Sequence, residues 1–281
     1  MLFYVHRALA PQEVMALTIA HPGGPPLTFK IAAKVALKKM VTNLSSTIDL
    51  NEFTHEREDE AHLGRQQLET LGEDVLIWKL RGFNLSADEI KTEAMRQIRK
   101  RKHLILDLRG NSGGWEETLQ ALVGGLIGEK TKIGDLKGGK PHPPLMARKV
   151  GDPYQGTIIA LVDSESRSAS ELLARILQLT GRATILGDRT PGAVMRSEWF
   201  QHMIGDRTGI AFATSVTVDD LVMTDGKSLE RVGVTPDEIM LPTPEDLAAG
   251  RDPVLSRAAA LCGVSLTPEA AGAMFPVEWH R

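Results

Sequence analysis

From Asp74 onward the chain alternates between two hydrophobic periods. Short runs of apolar and β-branched residues mark strands at Val75–Leu80, His103–Leu108, Thr157–Asp163 and Ala183–Gly187. Between them, apolar residues recur at helical spacing: Ile90, Ala94 and Ile98, then Leu119, Leu122, Val123 and Leu126, then Leu172, Leu173, Ile176 and Leu177. Ser86-Ala-Asp-Glu89 opens the first of these helices as a capping box. Gly209–Val218 reads as a further strand, Asp225-Gly226 as a hairpin-type turn, and Val232–Leu241 as the segment that closes the core. Strands alternating with helices predict an α/β core over 74–245. A tail over 246–281 follows, with one good helix at Pro253–Cys262.

The pattern weakens elsewhere. Residues 1–42 read as a small β-rich unit, with strands at Val14–Ile19 and Leu27–Val35, a turn at His21-Pro-Gly-Gly-Pro-Pro26, and a short helix around Tyr4–Ala10. Two strands and a helical turn do not bury a core alone, so this piece is expected to be the back end of a larger domain. Residues 43–73 are polar and charge-rich and read as a solvated linker helix. His55 and His62 within it are too far apart to share one helix face as metal ligands. Residues 129–156, rich in Gly, Pro and Lys, read as a long loop of the kind that is functional or mobile.

Composition narrows the function. The 281 residues carry a formal charge of −3, which gives no reason to expect a nucleic-acid partner, and no apolar run is long enough to span a membrane. Cys262 is the one cysteine, so no internal disulfide forms; its apolar neighbours make it a small buried residue. The opening Met-Leu-Phe-Tyr-Val-His-Arg does not read as a signal peptide.

Two strand-to-helix corners could carry chemistry. Ile159–Glu171 begins as a buried strand and ends in the first turn of a helix, with four serines at the junction. A hydroxyl there is held out by the backbone beside the free N–H groups and positive dipole end of the helix. Ser168-Ala-Ser-Glu171 also fits a plain capping box. The second corner is Asp107-Leu-Arg-Gly-Asn-Ser-Gly-Gly114, whose paired glycines let backbone N–H groups turn outward. Such groups can stabilise an oxyanion. The motif lacks the spacing of a phosphate loop.

Four motifs then occur in order: Leu104–Gly114, Ser168-Ala-Ser-Glu171, Gly187-Asp-Arg-Thr-Pro-Gly192 and Gly233-Val-Thr-Pro-Asp237. Together they resemble the tail-specific, or C-terminal-processing, serine peptidases, including the tricorn-like branch. Pro11–Val35 is similar to the last strands of the PDZ domain that often precedes that catalytic core. The resemblance implies a crotonase/ClpP-like α/β core of repeated ββα units behind a truncated PDZ-like segment. It implies Ser168 as nucleophile, with the N–H of Ala169 and of Gly113 or Gly114 as oxyanion donors. It also implies an extracytoplasmic setting and peptide or unfolded-protein substrates. Serine acyl transfer needs no metal or organic cofactor, and none is expected; self-association is left open.

The general base departs from the family pattern. The lysine of the processing peptidases falls, by count from the serine, at Ala193, and its orienting glutamine at Ser197. The tricorn-like branch implies a base at Lys79, where it has histidine, supported by Glu230. Burial lowers a lysine pKa and a nearby carboxylate raises it, so the two effects at Lys79 oppose each other. His202, on a strand beyond the Pro-Gly-Ala turn, is the second candidate base; Arg196 stays protonated and cannot serve. Three readings follow. The first is a serine peptidase, the second a peptidase fold that has lost its base and binds peptides, and the third an acyl-CoA enzyme of crotonase type, supported by fold alone. The N-terminal piece lacks the carboxylate-binding loop of PDZ domains, so on its own it is not expected to bind C-termini.

Overall fold

The computed structural model describes residues 14–19, 24–32, 67–204 and 210–275. The chain divides into two compact units, Met1–Leu50 and Asn51–Arg281. In the first, β1 (Val14–Ile19) and β2 (Leu27–Ala32) pair antiparallel, with Val14 opposite Ala32 and Ile19 opposite Leu27. Side chains alternate across a strand, so this register gathers Leu17, Ile19, Leu27, Phe29 and Ile31 on one face. All five are exposed. The helix expected around Tyr4–Ala10 lies outside the described residues, as does most of the linker expected at 43–73. The last part of that linker is not helical: Gln67–Leu71 forms β3, with Leu68 and Leu71 packed on the core.

The second unit is built on a six-stranded sheet. After β3 come β4 (Val75–Lys79) and β5 (His103–Asp107), separated by a helical segment α1 over 87–98. The Ser86 capping box opens α1 as predicted, with Ser86 N–H donating to Glu89 at 2.8 Å. A π turn, Ile90–Ala94, sits inside it, and Ile90, Ala94 and Ile98 are all buried. Helix α2 (Glu116–Leu126) follows β5. Then come β6 (Lys132–Gly138), β7 (Leu145–Met146), β8 (Thr157–Val162) and helix α3 (Ala169–Leu179). Strands β9 (Ala183–Gly187), β10 (Arg196–Ile204), β11 (Ile210–Met223) and β12 (Glu238–Ile239) complete the sheets. Three helices end the described chain: α4 (Pro244–Ala248), α5 (Pro253–Leu261) and α6 (Pro268–Met274).

The large sheet runs β12-β9-β8-β5-β4-β3, parallel throughout except for β3, which pairs antiparallel with β4. Both faces are covered, which is why its central strands read as continuous apolar runs. Trp78, Leu80, Leu106, Ala160 and Val162 face α1, α2 and α3. Val75, Ile77, Ile105, Ile159 and Leu161 face α5 and α6. Each fully buried aliphatic side chain contributes roughly 1.5–3 kcal/mol. Trp78 and Phe83, the largest fully buried side chains, both belong to the first of these clusters.

A second sheet runs β10-β11-β6-β7, antiparallel throughout. Strands β6 and β7 lie within 129–156, where the apolar pattern predicts only loop. The physical reason is close strand approach. A Cβ on Gly134 would stand 2.5 Å from Val222 O, and one on Gly138 would collide with Asp219. Glycine is required where a side chain would reveal the strand period. Among the described residues no helix is long and apolar enough to cross a membrane.

Candidate active site

The corner after β8 sorts the four serines. Ser164 is exposed. Ser166 is buried, and its hydroxyl donates to Leu108 O at 2.9 Å. Ser170 is buried and donates to Asn111 O at 3.0 Å. Those two tie this corner to the one after β5. Ser168 is left at the N-terminus of α3, half-buried, with φ +56° and ψ −121°. A non-glycine residue in such a region costs roughly 1–3 kcal/mol and persists only where its surroundings hold it.

Glu171 supplies much of that hold. Its carboxylate is fully buried. One oxygen accepts from Thr190 Oγ1 at 2.6 Å and Gly192 N–H at 2.7 Å. The other accepts from Ala193 N–H at 2.9 Å and Ser168 N–H at 3.1 Å. The Ser168 N–H is shared with Ala193 O at 3.0 Å. The sequence pattern shows only the capping-box part of this arrangement. The donors from 190–193 become visible once that turn is folded against the helix.

The corner after β5 is built on Asn111 and glycine. Asn111 is fully buried; its Nδ2 donates to Leu80 O and its Oδ1 accepts from Gly113 N–H, both at 2.8 Å. Gly113 and Gly114 have φ of +93° and +144°. A Cβ on Gly113 would stand 2.6 Å from Ser168 Cβ, so only glycine lets the two corners touch. Phe83 and Gly114 form a parallel bridge, in which Phe83 N–H donates to Gly113 O and Trp115 N–H donates to Phe83 O. That pattern turns Gly114's own N–H away from Phe83. Of the two glycines the sequence offers, Gly113 has its N–H committed to Asn111.

Ser168, Ala169 and Gly114 line a cleft of about 680 Å³ between the helix N-termini and the antiparallel sheet. Leu119, Leu136, Leu145, Leu172 and Leu221 make one wall apolar. Arg196 and Glu116 lie at its edge, and the guanidinium is held by buried Asp219 at 2.7 Å.

The base candidates are dispersed. Lys79 alternates with Val75 and Ile77, on the sheet face covered by α5 and α6, while Ser168 caps a helix on the other face. Its ammonium is 3.7 Å from Asp107 and 5.3 Å above the Phe275 ring. Burial lowers its pKa and Asp107 opposes that; the net shift is downward. Glu230 accepts from Val194 N–H at 3.0 Å, one residue beyond the Ala193 that backs Ser168. His202 lies on β10 opposite Phe212 and is exposed. None of the three lines the cleft, whereas Ser197 does.

The partner of Lys79 belongs to a network that sequence reading missed. Burial opposes ionisation of Asp107, yet the Arg109 guanidinium holds its carboxyl below the usual carboxylate range, with Lys79 assisting. Arg109 donates to both Asp107 oxygens, at 2.9 and 2.8 Å, and to both oxygens of Asp252, at 2.9 and 2.7 Å. Asp252 is the N-cap of α5, so this network ties the C-terminal helices to the root of the glycine corner.

Over residues 74–240 the chain matches the model of peptidase family S41, and it belongs to that family of serine peptidases. It is 29% identical over 161 residues to a Streptomyces coelicolor protein named as a tricorn protease homolog, covering 57% of this chain and 13% of that one. It is 28% identical over 172 residues to a carboxyl-terminal-processing protease of Picosynechococcus, covering 60% and 40%. The chain thus spans less than half the length of either relative. Its fold is similar to that of the photosystem II D1 C-terminal processing protease, with a TM-score of 0.51 at 18% identity over 84% of this chain and 58% of that one. Mature CPAF gives a TM-score of 0.54 at 14% identity over 88% and 66%. The resemblance carried by the four motifs is borne out, as is a mixed α/β core with a parallel sheet.

Proposed function

We propose that this chain is a serine peptidase that acts on peptides or unfolded protein chains through Ser168. The observation that carries the reading is a strained serine at the N-terminus of α3, packed directly on Gly113 at the edge of an apolar cleft. Ser168 Oγ attacks the scissile carbonyl. The N–H groups of Ala169 and Gly114 receive the oxyanion; the commitment of Gly113 N–H to Asn111 supports Gly114 over Gly113. The α3 dipole favours the same charge. The Oγ–C bond forms, the C–N bond breaks with a proton passing to the leaving amine, and water then hydrolyses the acyl-enzyme.

A second reading is favoured by a specific observation. By count from Ser168, Ala193 falls where the resemblance implies a lysine, and no histidine or lysine is among the described residues lining the cleft. A positioned base contributes roughly 10²–10⁴-fold. Without one, the site would bind peptides and react with activated reagents while cleaving amides slowly. A fluorophosphonate probe, with Ser168→Ala as control, separates these outcomes. Labelling lost in the mutant, with cleavage of an unfolded protein, supports the peptidase. Labelling without cleavage supports the impaired site. No labelling of folded wild type refutes the nucleophile.

The hairpin of β1 and β2 is proposed to be the end of a PDZ-like domain, and the core to follow the crotonase-like ββα plan. Titration of residues 1–42 with a C-terminal peptide is expected to show no binding; saturable binding would overturn that expectation.

A further inference from the structure

We infer that Glu171 is a positioning residue whose carboxylate locks the nucleophile to the turn behind it, an inference that rests on Ser168 as nucleophile. A capping-box glutamate ordinarily satisfies one N–H at the surface. Glu171 instead is fully buried and gathers four donors, three of them from Thr190, Gly192 and Ala193. No cation reaches it among the described residues. A buried carboxylate without a cation is sustained only by such donors and by the helix N-terminus where it sits.

The geometry states what the clamp does. One oxygen spans Ala193 N–H and Ser168 N–H, so the serine backbone cannot relax from φ +56° without breaking a charge-assisted bond. The other holds Thr190, whose hydroxyl oxygen accepts from Val234 N–H at 2.7 Å. Segments 168–171 and 190–193 therefore meet through the Glu171 side chain, and the Thr190 hydroxyl extends the contact to Val234. Replacing Glu171 by glutamine keeps the shape but sets an NH₂ group against N–H donors.

The test compares wild type and Glu171→Gln with a peptidyl phosphonate ester, resolving reversible affinity (KI) from the labelling rate at saturation (kinact). A small misplacement of reacting atoms costs roughly 10²-fold, so kinact is expected to fall about 10- to 100-fold with KI unchanged within about twofold. An unchanged kinact overturns the inference. In parallel, amide hydrogen exchange is read at Ser168, Gly192 and Ala193. Protection there is expected to fall about tenfold or more in the variant while β8 amides keep theirs. If wild type is not labelled, the nucleophile reading fails while exchange still decides the clamp: retained protection refutes it. If Glu171→Gln does not fold, Glu171→Asp, which keeps the charge but is one methylene shorter, carries the same measurements with an intermediate loss.

Discussion

The corner after β5 and the corner after β8 each hang from a buried carboxylate, but the two carboxylates are neutralised differently. Asp107 meets cations, Arg109 by hydrogen bonds and Lys79 at 3.7 Å. Among the described residues, Glu171 meets only backbone N–H groups and a hydroxyl. The first arrangement extends to Asp252 and secures the C-terminal helices, a structural task in which a full positive charge does no harm. The second lies directly behind Ser168 and is satisfied by hydrogen-bond donors from the helix start and the 190–193 turn. The backbones differ in the same sense. The β5 corner turns on glycines with positive φ at little strain, and the β8 corner forces a serine into such a region.

The largest expected effect tests the proposed absence of a base at the serine corner. Ala193→Lys places an amine on the turn hydrogen-bonded to Ser168. Cleavage of an unfolded protein should rise about 10²–10⁴-fold, measured by kcat/KM. Unchanged cleavage by an already active wild type would point to a base elsewhere, with Lys79 and His202 to be tested next. Next in size is the cationic neutralisation of Asp107. Arg109→Leu leaves a buried carboxylate with the residue-109 N–H and the more distant Lys79, and should lower stability by about 3–5 kcal/mol in urea unfolding. A loss under about 1 kcal/mol would mean that Asp107 and Glu171 are not neutralised as differently as described.

Ser168→Gly addresses strain alone. Relief of the positive φ, less the added chain entropy of glycine, should stabilise the fold by about 1 kcal/mol while abolishing labelling. A destabilised variant would show that the serine corner is not strained. The smallest effect concerns acid. The folded pKa of Asp107 is depressed, so its contribution is present above the unfolded carboxyl value of about 3.9 and is lost as pH falls through the folded value. Asp107→Asn should flatten the fall in urea midpoint on acidification; an unchanged slope would assign acid sensitivity to other carboxylates.

Much of this was legible beforehand where local rules suffice. The strands of the parallel sheet, helices α2 and α3 and the Ser86 cap follow from period and capping chemistry, which act within a few residues. Strand β3 was hidden in a charge-rich stretch, and β6 in one where Gly134 and Gly138 replace the side chains that would show its period. At the site, the four motifs pointed to Ser168 and the paired glycines. They could not distinguish Gly113 from Gly114, because that depends on where Asn111 Oδ1 points. Nor could they show that Lys79 faces Asp107, because the face a strand residue takes depends on which helices cover each side.

By itself the sequence determined the α/β alternation, the family and the serine at a helix start, since these are written in spacing and short motifs. The tertiary structure decided that Ser168 is the serine left at the cleft, that Glu171 accepts from its N–H and that Lys79 lies 3.7 Å from Asp107. Each of those depends on hydrogen-bond donors, acceptors or charges from segments far apart in the chain, whose partners are set only when packing brings them within 3–4 Å.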